Sequence, residues 1–301
     1  MLGTALLKLL AERGYQQVVT KTHEELDLTN QQATQAFMAA EKPEGVIICA
    51  AMVGGIVGNK TFPAFYWHTN ITIQTNLFEA AAQTGAKAVV FFGSSCMYPK
   101  AAPQPMAEDQ LFAGHIEVTS EAYAAAKIAG VLGCRAYNIQ YPKTKFLALV
   151  PNSMYGPGDN FDLENSHVLS ALLRRFHEAK QNGVQELTLW GSGKPMREFL
   201  YAPDVADATL FALENVERFE NSHYNIGSGD ELSIKGLAET LAQVVGWQGE
   251  LKWDTDKPDG TFRKLLDSSR FRALGWNRHT PFDQGLAATY QWFKAHIDGK
   301  G

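Results

Sequence analysis

Cysteine is scarce. The 301 residues hold three, Cys49, Cys96 and Cys134, an odd number without a pairing pattern, and no cysteine/histidine spacing of the zinc-binding kind surrounds them. No metal site is expected, and a reducing compartment, the cytoplasm, fits best. Long apolar runs are lacking too: Lys8, Glu12 and Arg13 interrupt the only early one, so neither a signal sequence nor a membrane span is expected. Positive charge is also in short supply, with 27 Lys and Arg against 32 Asp and Glu and a net charge of −5. No broad basic field is there to hold nucleic acid, although local arginines can still grip the phosphates of a small ligand.

What is present suits a folded protein: 45% of residues are hydrophobic and 20% charged, and the length allows one large domain or two coupled ones. Residues 4–13 have helical apolar spacing that stops at Gly14, and 17–20 (QVVT) is short, β-branched and strand-like. The alternation continues with a helix near 30–41, an apolar run at 45–51, a helix near 69–84, a run at 87–93, a helix over about 120–140 and a strand at 145–150. Such runs read as strands buried on both faces of a doubly wound, Rossmann-type parallel sheet of the α/β class. Beyond residue 150 the pattern loosens into Pro- and Gly-rich loops with helices near 166–182, 203–217, 233–246 and 282–297. The expected division is a dinucleotide-binding domain at 1–150 and a smaller ligand-binding lobe at 151–301, some segments of which return to the first domain.

Chemistry is concentrated in a few places. Tyr123 and Lys127 stand four apart in the helix at 120–140 and so share one face. A neighbouring ammonium favours phenolate and makes tyrosine a usable proton donor and acceptor. Alone, such spacing is weak evidence, since Tyr and Lys four apart on a helix are usually an ordinary surface pair. Ser94 adds weight, because it ends the run at 87–93, where open α/β sheets place their ligands.

The runs 93–100 (GSSCMYPK), 123–127 (YAAAK), 165–168 (NSHV), 191–199 (GSGKPMREF) and 257–267 (KPDGTFRKLLD) together resemble the signatures of the GDP-L-fucose synthase family, within the extended short-chain dehydrogenase/reductase superfamily. The resemblance covers nearly the whole chain. It implies a substrate, GDP-4-keto-6-deoxy-D-mannose, that is epimerised at C3 and C5 and then reduced at C4 by NADPH. A 4-keto group acidifies the protons on C3 and C5, so a base and an acid can exchange them through an enolate.

By matching positions, the resemblance makes Cys96 the base and His167 the acid of epimerisation. Tyr123 becomes the proton donor in reduction, Lys127 the orienter of the nicotinamide ribose, and Ser94 the hydrogen-bond partner of the C4 oxygen. Tyr123, Lys127 and His167 would also line the cofactor. Arg175, Trp190, Arg197 and Lys264 match positions that contact the GDP-sugar, although spacing alone does not separate Arg174 from Arg175. Lys21 and His23 are placed to meet the 2′-phosphate of NADPH, where the family has arginines. A homodimer formed through the Tyr123 helix is implied as well, with Ala124, Ala125, Ile128 and Val131 suited to close helix packing.

Four departures stand out. Met52 takes the place of a common lysine in the glycine-rich stretch 52–59, which is expected to bring backbone close to a ligand. Residues 151–156 read PNSMYG where the family pattern is proline, threonine, asparagine, leucine, tyrosine, glycine, which puts Ser153 in place of a substrate-contacting asparagine. Only Gly3 matches the cofactor's glycine motif, as its last glycine, and the family's first strand has no counterpart in this sequence. Two unpaired edges in the sheet and weakened NADPH binding are the expected consequences. Two other readings stay open: a remnant that binds GDP-sugar without turning it over, and another extended-type nucleotide-sugar epimerase or dehydratase, which would share Ser94, Tyr123 and Lys127 but has no need of Cys96 and His167.

Overall fold

A computed structural model of the protein describes residues 1–163, 166–220 and 223–297, with the backbone alone at 56 and 57. Helices α1 (Leu2–Glu12) and α2 (Gln31–Glu41) lead to strand β1 (Gly45–Ile48). Helices α3 (Ile56–Thr61) and α4 (Pro63–Thr84) precede β2 (Ala88–Phe92), and α5 (Glu121–Gln140) joins β2 to β3 (Lys145–Pro151). Then come β4 (Ser153–Tyr155), α6 (Val168–Gln181), β5 (Glu186–Trp190), β6 (Met196–Tyr201), α7 (Ala202–Glu214) and β7 (His223–Ile226). The chain closes with β8 (Glu231–Ser233), α8 (Ile234–Val245), β9 (Glu250–Asp254), β10 (Arg263–Lys264), α9 (Ser269–Ala273) and α10 (Phe282–His296).

The main sheet is parallel, in the order β1-β2-β3-β7, with Ala88–Phe92 of β2 in register with Lys145–Leu149 of β3. Its apolar runs are continuous because both faces are covered. Val89 and Phe91, with Phe146, Ala148 and Val150, pack beneath α2, α4 and α5. Val90 and Phe92, with Leu147 and Leu149, pack against α7 and α9 on the opposite face. Each large apolar side chain so buried contributes roughly 1.5–3 kcal/mol. Helix α1 docks on α7 through Leu6, Leu9 and Leu10. Residues beyond 150 thus build part of this layer, since α7, β7 and α9 all belong to it.

A second core lies among α6, α8, α10, β5 and β6. There β6 pairs with β4 and β10 in parallel and with β8 antiparallel, while β5 pairs with β9. Among the described residues no helix is long and apolar enough to cross a membrane.

The strand expected at 17–20 is not formed. Those residues are extended coil with exposed side chains, Val19 being 52% accessible, because none of the described strands runs beside them to take up their N–H and C=O groups. Strand β1 is correspondingly an edge of the sheet, paired with β2 alone among the described residues.

Candidate active site

The carboxyl end of β2 carries the reactive cluster. After Phe92 the chain turns at Gly93, and Ser94 Oγ accepts from the Cys96 N–H at 3.3 Å, opening a short helical turn at Ser95–Met97. Helix α5 comes in close because Gly130 has no side chain: a Cβ there would lie 2.4 Å from the Phe91 ring. That approach buries Lys127, whose Nζ donates to the Phe92 carbonyl at 2.9 Å and stands 4.7 Å from the Phe91 ring centre and 5.7 Å from that of Tyr123. Burial lowers the Lys127 ammonium to about 8. The Tyr123 phenol is pushed up, first by burial and then by charge on Cys96, with a Ser94 hydrogen bond acting the other way. The expected depression of the phenol by Lys127 is therefore not found. The ammonium turns to a backbone carbonyl, and burial weakens its own charge.

Cys96 moves in the opposite direction. Burial raises its thiol, but the Lys264 ammonium, 3.5 Å from Sγ, and hydrogen bonds from Ser94, Lys264 and Ser120 outweigh that and lower it on balance. A thiol and a phenol side by side are thus driven apart, one toward thiolate and the other toward the protonated form, which is how neighbouring groups are given base and acid duties.

Sequence reasoning missed three side chains here. Ser120 hydrogen-bonds Cys96 from the residue before α5. Asn152 and Glu198 tie the loop of Ser95 to the backbone of Lys264 and Leu266. Glu198 carried a signal, a carboxylate amid the apolar residues of a strand; Asn152 carried none.

The residues matched to the GDP-sugar form a strip that ends at Cys96. Trp190, 73% exposed at the end of β5, has the Lys257 ammonium 5.6 Å from its ring centre. Asp259 accepts from Ser192 N and Oγ at 2.8 and 2.7 Å, and Arg197 donates to the Thr261 carbonyl at 2.6 Å. The 191–199 and 257–267 runs therefore meet, and the register Lys264↔Arg197 carries the strip to Lys264. Lys264 itself faces the thiol, whereas the sequence placed it with the nucleotide. Arg174 pairs with Glu178 at 2.6 Å, while Arg175 reaches the Thr188 carbonyl at 2.9 Å, two residues from Trp190. The two neighbouring arginines thus have different partners within the chain.

Residues 1–227 match the NAD dependent epimerase/dehydratase family. GDP-L-fucose synthase 1 of Arabidopsis thaliana is 49% identical over 297 residues, covering 99% of this chain and 91% of that protein. The chain belongs to the GDP-L-fucose synthase family. Among solved structures similar to it is a GDP-D-glycero-L-gluco-heptose synthase from Campylobacter jejuni, obtained in the presence of NADPH. Its TM-score is 0.91 at 36% identity, with 97% of this chain and 95% of that one covered. A GDP-L-fucose synthetase from Naegleria fowleri bound to NADP gives a TM-score of 0.88 at 27% identity, covering 99% of this chain and 92% of that one.

For a member of the GDP-L-fucose synthase family the implied cofactor is NADPH, and two features of this chain fit it. The first N–H groups of α1 have no side-chain cap, and Gly3 stands over the end of β1, where an added Cβ would be 3.8 Å from that of Cys49; such a helix terminus suits a phosphate. Lys127 commits one of its three donors to Phe92 and sits beside Tyr123 at the end of β2. Lys21 and His23 are not brought to this group. They lie on the exposed coil before α2, Lys21 3.7 Å from Glu25 and His23 within electrostatic reach of Glu24 and Asp27. His167 is exposed as the residue before α6 and makes no hydrogen bond to Cys96 or Tyr123, while its motif neighbour Asn165 lies outside the described residues.

Within the chain, Gly54 and Gly58 make room for Tyr66. A Cβ on Gly54 would stand 2.1 Å, and on Gly58 2.7 Å, from the Tyr66 hydroxyl. Asn70 fixes the start of the loop, accepting from Met52 N at 3.1 Å and donating to its carbonyl at 3.0 Å.

Proposed function

We propose that this chain converts GDP-4-keto-6-deoxy-D-mannose to GDP-L-fucose, exchanging the protons at C3 and C5 and reducing C4. The observation that supports this most is the Lys264–Cys96 contact inside the Ser94–Tyr123–Lys127 cluster. A site built for reduction alone, or for 4-epimerisation, has no use for an activated thiol, and a mere binding remnant has no use for either.

NADPH, when bound, supplies the hydride. Cys96 as thiolate removes the protons that the 4-keto group acidifies, and His167 returns them on the opposite face, an assignment supported by its NSHV motif. Tyr123, held protonated by burial, gives its proton to the C4 oxygen, to which Ser94 hydrogen-bonds. Lys127 orients the cofactor ribose and restores charge balance as the phenol empties. The strip of Arg175, Trp190 and Arg197 holds the GDP moiety, with binding energy there positioning the sugar.

In this reading residues 1–150 hold the cofactor and 151–301 chiefly the sugar nucleotide, in a cytoplasmic homodimer. Leu132 and Ile139 on α5, with Phe62, Phe65 and Trp67 at the start of α4, offer exposed apolar surface for it. Ala124 and Val131, suited to an interface or to the core of one chain, have no exposed surface within the single chain. The test is incubation of the purified chain with the 4-keto sugar and NADPH. GDP-L-fucose, carrying solvent deuterium at C3 and C5 when made in D2O, is the expected product; a 4-hydroxy sugar without that label would refute the epimerase half.

A further inference from the structure

Lys264 lies 168 positions from Cys96 in the sequence, and a flexible four-carbon side chain does not hold a 3.5 Å contact without its backbone being fixed. Pairing of β10 with β6 does part of the fixing, and one side-chain amide adds to it. Asn152, 5% exposed, accepts from Ser95 Oγ at 3.1 Å and donates to the Lys264 carbonyl at 3.0 Å and to Glu198 Oε2 at 2.7 Å. Glu198, with no exposed surface, also accepts from Gly229 N at 2.8 Å and Leu266 N at 3.3 Å. The residue before the thiol and the backbone of the ammonium are thus tied to the same side chain. We propose that Asn152, backed by Glu198, is a positioning residue that holds the Lys264 ammonium against the Cys96 sulfur.

The residue type follows from the three bonds. The position needs one acceptor for a hydroxyl and two donors, for a carbonyl and a carboxylate, and a carboxamide supplies all three in one plane. A hydroxyl residue has a single donor and leaves one buried acceptor unpaired. Cys96 itself faces Lys264 from β10, Tyr123 from α5 and the hydroxyls of Ser94 and Ser120, so displacing Lys264 removes the only cation of that set. The benefit of such a device rests on the base role given to Cys96 above; the contact does not.

The test is the pH profile of iodoacetamide alkylation on the full-length chain without substrate. It is followed on the Cys96-bearing peptide by mass spectrometry so that exposed Cys49 does not contribute. Lys264→Met should slow alkylation near neutral pH by about tenfold, equivalent to one pH unit of displacement. Asn152→Leu should displace the profile in the same direction, and the double variant no further than Lys264→Met alone. An Asn152→Leu profile that stays at wild type overturns the proposal, as does a Lys264→Met profile that does not move. If thermal melting shows Asn152→Leu unfolded, Asn152→Thr is read instead: a smaller displacement of the same sign upholds the role, and none overturns it. These outcomes hold whether or not the wild type turns over the 4-keto sugar, so failure of the functional reading and failure of the positioning role are told apart.

Discussion

Around Cys96 the polar side chains are half-buried or buried and tied together: Ser95 to Asn152, Asn152 to Glu198 and to the backbone of Lys264, Lys127 to Phe92. Around Lys21 and His23 the opposite holds. The coil at 15–20 carries no strand, Val18 and Val19 face solvent, and Lys21 has Glu25 for company on an exposed surface. The contrast separates two tasks. The groups to which the proposed reading gives proton transfer are preorganised by the chain. Groups that would grip the far end of the cofactor are left to be ordered by it, at a cost in affinity.

The largest effect on that contrast should come from Tyr123→Phe. It removes the only phenol in the cluster and should lower C4 reduction by about 10²–10⁴, while deuterium exchange at C3 or C5 of the bound 4-keto sugar stays measurable by mass spectrometry. Loss of exchange together with reduction, with binding intact, would show that base and acid are not separable here and that the cluster acts as one unit.

A smaller effect tests whether burial makes the ordered region acid-sensitive. His223 on β7 contacts the Glu108 carbonyl through Nε2 at 3.1 Å, and burial lowers it to about 4, below its ordinary 6.5. The folded chain therefore takes up this proton later than the unfolded chain does. Stability from this source is complete above 6.5 and lost as pH falls through the window toward 4, amounting to about 3 kcal/mol. In His223→Gln, urea midpoints measured across that window should fall less steeply with acid than in wild type. Equal slopes would place the acid sensitivity elsewhere.

The smallest effect belongs to the exposed end. Lys21→Ala should leave the thermal midpoint unchanged, since exposed pairs contribute about 0–1 kcal/mol, and should weaken NADPH, but not NADH, by less than about tenfold, as expected for one mobile ammonium on a phosphate. A larger loss in an NADPH titration would make this coil a built site and erase the contrast.

Legibility in the sequence divides along a similar line. Strands β2 and β3 show in their apolar runs, because both their faces are buried; β1 shows in its apolar run although it is only partly buried, and α5 shows with its Tyr123/Lys127 pair. The stretch at 17–20 misled because β-branched residues mark a strand only where a neighbour accepts their hydrogen bonds. The match of Lys264 to a position that contacts the GDP-sugar says nothing of its contact with Cys96, which depends on β10 pairing with β6 and which local pattern does not reveal. The direction of the Tyr123 shift was likewise invisible, being set by how deeply α5 sinks at Gly130. Ala124 and Val131 looked fit for an interface for the same reason that they fit a core: small or branched apolar side chains serve both.

The phenol of Tyr66 has a consequence for how this sequence can drift. Its oxygen fills the volume that a methyl at 54 or 58 would occupy, so an alanine at either position requires the ring to move. That ring begins the same helical turn from which Asn70 secures Met52, so a methyl placed at 54 or 58 is felt at the anchor of the loop as well as at the ring.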